Sequence, residues 1–173
     1  MPDRKFDLIV AGEINPDLIL TDPQLEPRFG QAEIIVKDAA LTPGSSSVIV
    51  ACGAARLGLK VAFIGVAGDD VFGHFMLDAL KARGVDISNV IVDPKQTTGF
   101  TVILNRVTDR AMLTHLGAIN ALIADQIPID LLVQARHLHI ASYFLQTRLQ
   151  PDIPDLFRRD HVLGLTNSLD TNW

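Results

Sequence analysis

The residues best suited to chemistry in this chain are small and polar, and they fall into two clusters. The first is Gly12-Glu13-Ile14-Asn15-Pro16-Asp17, directly after a short apolar run. Asn15 and Asp17 stand two apart in an extended segment, so they project to one side and can grip adjacent hydroxyls of a polyol. A carboxylate that accepts a hydroxyl proton makes a strong, charge-assisted bond. The competing reading is a plain turn, since Asn, Pro and Asp are all turn formers. The second cluster is Gly44-Ser45-Ser46-Ser47, at the start of a helical stretch. Glycine permits close backbone approach, N–H groups at a helix start attract oxygen ligands, and the hydroxyls add donors. A helix cap with redundant serines is the alternative.

Other motifs carry less. Gly65-Val66-Ala67-Gly68-Asp69-Asp70 with Gly73 has the glycine content of a phosphate loop. It lacks both the Gly-Lys-Ser/Thr ending and the Gly-x-Gly-x-x-Gly spacing. Asp69 and Asp70 more simply cap the helix that follows and favour its positive end. His137 and His139 share one face of a strand, as a metal pair would, but the next histidine back is the distant His115. Structural histidines are the simpler reading. Ser142 and Tyr143 follow that strand at its carboxyl end, where Ser142 can reach a ligand. Cys52 reads as a buried structural thiol on the small-residue helix.

These clusters sit at the junctions of an alternating pattern of short apolar runs and helical periodicity, which predicts an α/β fold with a mostly parallel sheet. A first strand is expected over about residues 6–11 and a fully covered strand over 61–66. The spacing predicts a helix over 46–57, with a serine N-cap and Gly58 able to take the left-handed C′ position. A second helix is predicted over 72–83, where Phe72, Phe75, Met76, Ala79 and Leu80 repeat at helical spacing. Residues 23–43, with three prolines, read as an inserted β-element. Further strands are expected at 90–92, 101–104, 112–114, 137–140 and 163–169. Helices are expected from Pro128 to Ala135 and over 154–159.

With 173 residues, 48% of them hydrophobic, the chain suits one domain with a sizeable core. A net charge of −5 argues against nucleic acid as a partner, because phosphate binding needs a basic face. No apolar run is long enough for a membrane span, and no secretory leader of about 7–15 uninterrupted apolar residues opens the chain. A single cysteine fits a reducing compartment, so a cytoplasmic location is expected.

The run 42–84 resembles the first signature of the ribokinase-like (PfkB) carbohydrate kinases. It reads Thr-Pro-Gly-Ser-Ser-Ser, then a helix ending Ala55-Arg56-Leu57-Gly58, then Val61–Gly65, then Gly68-Asp69-Asp70-Val71-Phe72-Gly73 and a helix closed by Arg83-Gly84-Val85. The resemblance extends over 6–173. It implies a three-layer α/β/α Rossmann-like core with a small β-sheet lid, whose strands would lie within about 17–40, at Asp17–Leu20 and Glu33–Lys37. It also implies that Asn15, Asp17, Gly44, Ser45, Ser46 and Ser142 bind a sugar, and that the lid closes over it and can form a homodimer contact. Ser45 replaces the family's second glycine, and Ile49 falls where an asparagine is expected, so a ribose-like pocket is not implied. Residues 97–120 also look like the family, with the asparagine of its Gly-Ala-Asn turn displaced to Asn120. Asp170-Thr171-Asn172 resembles a motif near the phosphate-transfer side.

The implied chemistry is transfer of the ATP γ-phosphoryl group to a sugar hydroxyl, with an Asp base, an anion hole of backbone N–H groups and Mg²⁺. The second family signature, Asp-x-x-Gly-Ala-Gly-Asp, does not occur in this sequence, so no catalytic residue is assigned and that residue is expected beyond Trp173. The expectation is therefore an incomplete domain over 1–173, the sugar-binding half of a kinase lacking the C-terminal half of the fold. A non-catalytic sugar-binding or oligomerising remnant is the alternative. A Rossmann oxidoreductase is disfavoured by the absence of Gly-x-Gly-x-x-Gly after the first strand. An interrupted sheet would leave an unpaired edge and an uncovered apolar face, so the isolated chain is expected to be poorly soluble or partly folded.

Overall fold

The computed structural model describes residues 4–171. Its elements in chain order begin with β1 (Phe6–Ala11), β2 (Pro16–Thr21), β3 (Asp38–Pro43) and α1 (Ser46–Arg56). β4 (Val61–Ile64), β5 (Val66–Gly68), α2 (Val71–Ala82), β6 (Ile91–Asp93), β7 (Phe100–Asn105) and β8 (Arg110–His115) follow. The chain continues through α3 (Ile129–Leu132), β9 (Ala135–Ile140), α4 (Ile153–Val162) and β10 (Thr166–Leu169). No helix among the described residues is long and apolar enough to cross a membrane.

The main sheet has the order β10-β9-β1-β4 and is parallel throughout. β1 is its centre, and Ile9, Val10 and Ala11 are fully buried because helical layers cover both faces. On one face Ile9, Ala11, Ile64 and Leu138 pack with Leu131 and Leu132 of α3 and Ile153 and Leu156 of α4. On the other, Leu8, Val10 and Phe63 pack with Val48 and Ala51 of α1 and Met76 and Leu80 of α2. Truncating Phe63, which has no exposed surface, would cost about 3–5 kcal/mol.

α1 and α2 are each capped by the residue just ahead of them. Ser45 Oγ accepts from Val48 N at 3.0 Å ahead of α1. Asp70 Oδ1 accepts from Gly73 N at 2.8 Å ahead of α2, and its other oxygen accepts from Thr98 N at 2.7 Å. Burial works against ionisation of Asp70, but these backbone donors and the Thr98 hydroxyl outweigh it and hold its pKa below the ordinary value. Asp69 instead pairs with His74 at 2.9 Å.

A second sheet, β3-β2-β7-β8, stands beside the first. β2 runs parallel to β7 and antiparallel to β3, and β7 and β8 form an antiparallel hairpin. The strand expected at Glu33–Lys37 is not there; the paired strand is β3, from Asp38. The reason lies in its partner. β2 ends at Thr21, which faces Asp38 and whose carbonyl accepts from Lys37 N at 3.1 Å, so residues 33–36 have no ladder to join and Ile35 is left exposed. The helix expected to reach Ala135 stops at Leu132, because Ala135 is already paired with Phe6 at the start of β9. The strand expected over 61–66 breaks at Gly65, where Ile91 N bonds to the Gly65 carbonyl at 2.9 Å and β5 turns to pair with β6.

Candidate functional site

The polar side chains converge where β1 and β9 end and α1 begins, the carboxyl edge at which open parallel sheets collect ligands. At its centre is Glu13, a residue that motif reasoning passed over. Glu13 is only 2% exposed. Its Oε1 accepts from Ser142 Oγ at 2.8 Å, Ser45 Oγ at 3.0 Å, Ser46 Oγ at 3.2 Å and Ser47 N at 3.3 Å. Its Oε2 accepts from Ser47 Oγ. A buried carboxylate is tolerated when donors surround it in this way. The available signal was chemical: an acid between Gly12 and the fully buried Ile14 must find donors, and Ser45-Ser46-Ser47 is the densest run of hydroxyls in the chain.

The serines reach Glu13 through strained backbone. Among the described residues three non-glycine positions have positive φ, and two of them are Ser45 (67°) and Ser142 (55°). Such conformations cost about 1–3 kcal/mol each and cluster at ligand sites. Ser45 Oγ also lies 2.7 Å from the Glu13 carbonyl oxygen, so this hydroxyl is occupied within the protein as both donor and helix cap. Ser46 is half-buried and sits 2.9 Å from Ser142 Oγ. One turn along α1, Ile49 is 61% exposed.

Asn15, Asp17 and Gly44 form the adjoining group. Gly44 N donates to the buried Asn15 carbonyl at 3.1 Å, which ties the first cluster to the second. Asp17 stands on β2 opposite Thr42 of β3 and Thr101 of β7. Burial pushes its carboxyl pKa up, and the nearby Arg110 charge on β8 opposes this. Residue 12 is tighter, since a Cβ on Gly12 would fall 2.0 Å from Ser47 Oγ and 2.8 Å from its Cβ. All six candidate residues therefore lie along one continuous edge, with Gly44-Ser45 as the seam.

The histidines are engaged with hydroxyls of β10. His137 Nδ1 and Nε2 each sit 2.7 Å from a hydroxyl, Thr166 and Ser168, and His139 Nδ1 is 2.7 Å from Ser168. No group of three or more metal-ligating side chains comes together among the described residues. Asn120 Oδ1 accepts from Arg148 N at 2.9 Å, and Thr97 Oγ1 pairs with His115 at 3.0 Å. Asp170 N donates to the Ile140 carbonyl at 2.9 Å, next to the site, while Asn172 lies outside the described residues. A cleft of about 430 Å³ near Lys5, Lys60 and Asp86 is at the opposite, amino-terminal end of β1.

The chain is similar to known proteins. The family model described as pfkB family carbohydrate kinase matches residues 5–172. A 5-dehydro-2-deoxygluconokinase of Clostridium perfringens is 34% identical over 136 residues, 73% of this chain and 36% of that protein. Fructokinase-2 of Oryza sativa subsp. japonica is 31% identical over 108 residues, 61% of this chain and 32% of that protein. Among solved structures, a PfkB protein from Polaromonas sp. JS666 superposes with a TM-score of 0.80 at 29% identity, covering 97% of this chain and 56% of that one. A fructokinase from Xylella fastidiosa with bound ATP shares the fold, with a TM-score of 0.79 at 20% identity. The chain thus spans about a third of the curated relatives and about half of the solved structures it matches.

Proposed function

The chain belongs to the pfkB family of carbohydrate kinases, and we propose that residues 1–173 form the sugar-binding part of a ribokinase-like kinase domain acting in the cytoplasm. The observation that carries this reading is the continuous polar edge from Asp17 through Asn15 and Gly44 to Ser45, Ser46 and Ser142. In it, Asp17 and Asn15 grip neighbouring sugar hydroxyls, and the backbone at Gly44 lets the ring approach closely. The hydroxyls of Ser46 and Ser142 complete the cradle, with the exposed Ile49 against the apolar face of the ring.

The second sheet has the place of a lid. Its strand β2 carries Asp17 at the site edge, so a ligand held by Asp17 is held by the sheet as well. Closure of such a sheet excludes water from a reactive phosphoryl group. The same sheet is the proposed surface for a homodimer.

In this family ATP supplies the phosphoryl group and Mg²⁺ accompanies it. The described residues assemble no cluster of carboxylate, imidazole or thiolate ligands to cage the ion, and no step of phosphoryl transfer is assigned to them. These side chains bind and orient. A non-catalytic role in sugar binding or oligomerisation is the second reading.

Calorimetric titration with D-fructose and with 5-dehydro-2-deoxy-D-gluconate, run beside an ADP-release assay, tests both. Saturable binding abolished by Asp17→Ala supports the sugar site, and ADP release separates kinase from binding module. If neither sugar binds at millimolar concentration, the sugar-site reading fails.

A further inference from the structure

We propose that Asp70 is a positioning residue of the sugar site: its carboxylate fastens the foot of β7 to the start of α2, and through β7 it holds Asp17 of β2 against Gly44. This inference rests on the sugar-binding reading above and adds to it a residue that acts without touching the ligand.

The run Gly68-Asp69-Asp70-Val71-Phe72-Gly73 has no part in the polar edge, yet it is built around one contact. An N-cap needs a single side-chain oxygen, and serine or asparagine serves as well as aspartate. Asp70 uses both of its oxygens. Oδ1 accepts from Gly73 N at 2.8 Å and caps α2, while Oδ2 accepts at 2.7 Å from the N–H of Thr98, two residues before β7. Thr98 is only 1% exposed, so the carboxylate provides for a buried N–H that would be costly to leave without an acceptor. The Thr98 hydroxyl accepts from Gly68 N at 2.9 Å and closes a ring through Gly68, Asp70 and Thr98. The backbones there touch: a Cβ on Gly68 would fall 2.7 Å from Thr98 N, and one on Gly73 would fall 2.1 Å from the Gly68 carbonyl oxygen. Phe72, in the first turn of α2, adds a ring contact with Phe100 of β7 at 5.0 Å.

From this foot the strand leads to the site. Thr101, three residues beyond Thr98, lies opposite Asp17 in the parallel pairing of β7 with β2, and its hydroxyl is 3.0 Å from that of Thr114 on β8. The pairing runs on from Asp17 to Thr21, so a displacement of β7 is passed to β2 and to Asp17. The second sheet joins the rest of the chain ahead of β2, after β3, ahead of β7 and after β8. The first two junctions meet at the site itself, where Gly44 N donates to the Asn15 carbonyl at 3.1 Å. Asp70 grips the third, and beside it Ala118 N, beyond β8, donates to the Thr97 carbonyl at 2.8 Å. A sheet already held at both feet loses less freedom when a sugar binds, which strengthens binding.

The test is Asp70→Asn in the 173-residue chain, with Asp70→Ser beside it. The asparagine oxygen still caps α2, but an NH₂ group replaces the second oxygen and cannot accept from Thr98 N. Serine likewise keeps one capping oxygen and has no second. Both variants should speed backbone hydrogen exchange in residues 98–105 about tenfold, while residues 74–82 of α2 exchange as in wild type. Both should also weaken calorimetric binding of D-fructose or 5-dehydro-2-deoxy-D-gluconate about tenfold. Asp69→Asn removes the same charge one residue away, where the partner is His74, and should change neither reading. If Asp70 is a helix cap and nothing more, Asp70→Asn matches wild type in exchange and affinity, and the inference is overturned with the sugar site left standing. Faster exchange at unchanged affinity overturns it as well, since the bridge would then have no hold on Asp17. Absence of sugar binding by the wild-type chain would overturn the sugar site and the positioning role together.

Discussion

The carboxylate of Asp17 is pressed against the backbone of Gly44: a Cβ added at residue 44 would fall 2.4 Å from Asp17 Oδ1 and 2.5 Å from its carboxyl carbon. Two segments of the candidate site thus meet where a larger residue at position 44 would push the Asp17 carboxylate aside. Gly44→Ala must displace the Asp17 side chain or the start of α1. Because the atoms in the way are the end of a side chain, the expected cost is about 1 kcal/mol of stability or less, together with at least tenfold weaker sugar binding from the displaced carboxylate. Urea unfolding and calorimetry on the same sample measure both. A variant with wild-type affinity would show that Asp17 is not at the ligand.

Arg110 acts on Asp17 from across the second sheet. Burial raises the Asp17 pKa and the Arg110 charge holds it back. Arg110→Ala should therefore move the Asp17 pKa further up, by an amount that carbon-detected titration of the side-chain carboxyl reads directly. Between the unfolded value and the raised folded value, the folded chain binds the extra proton, so this carboxyl makes stability fall as pH rises through that window. Asp17→Asn should remove the effect. An Asp17 titration insensitive to Arg110→Ala would place the two charges out of contact.

Ser142 carries both strain and a hydrogen bond, and two substitutions separate them. Its φ of 55° suits glycine, and its hydroxyl bonds to Glu13. Ser142→Ala loses the bond and keeps the strain, whereas Ser142→Gly loses the bond and relieves it. The glycine variant should be more stable than the alanine variant by about 1 kcal/mol. Chemical denaturation of the pair gives the difference, and alanine equal to or above glycine would contradict a left-handed backbone at this position.

The histidine row on β9 predicts an acid-sensitive fold. Burial holds the pKa of His137 below its ordinary value, and burial with the neighbouring His137 charge does the same for His139, against the pull of Asp170 and Glu13. With folded values below the unfolded value of about 6.5, the unfolded chain binds more protons in that range. The stability contributed by neutral histidines is full above about pH 6.5 and is lost as pH falls through the lowered folded values. The urea midpoint should drop between pH 7.5 and 5.5, and His137→Gln with His139→Gln should flatten the curve. A double variant as steep as wild type would assign the pH dependence to other groups.

The residues by themselves determine a good deal of this molecule. Helical spacing places α2 within a residue of its observed ends, and Ser45 and Asp70 mark the starts of both long helices because capping is a local interaction. The apolar run Leu8–Ala11 of β1 and the wholly apolar β4 identify the buried parallel core, since strands covered on both faces have no polar side. The run from Gly44 to Gly84 carries enough local punctuation to identify the family. The placement of β3 was not legible, because register depends on where β2 ends and not on the sequence of residues 33–37. Glu13 was invisible for the same kind of reason. Its serine partners lie 32 to 34 positions away on α1 and 129 positions away beyond β9. A carboxylate buried among hydroxyls is stable only where the folded chain has gathered its donors, and that gathering is a property of the tertiary structure, not of any stretch of sequence.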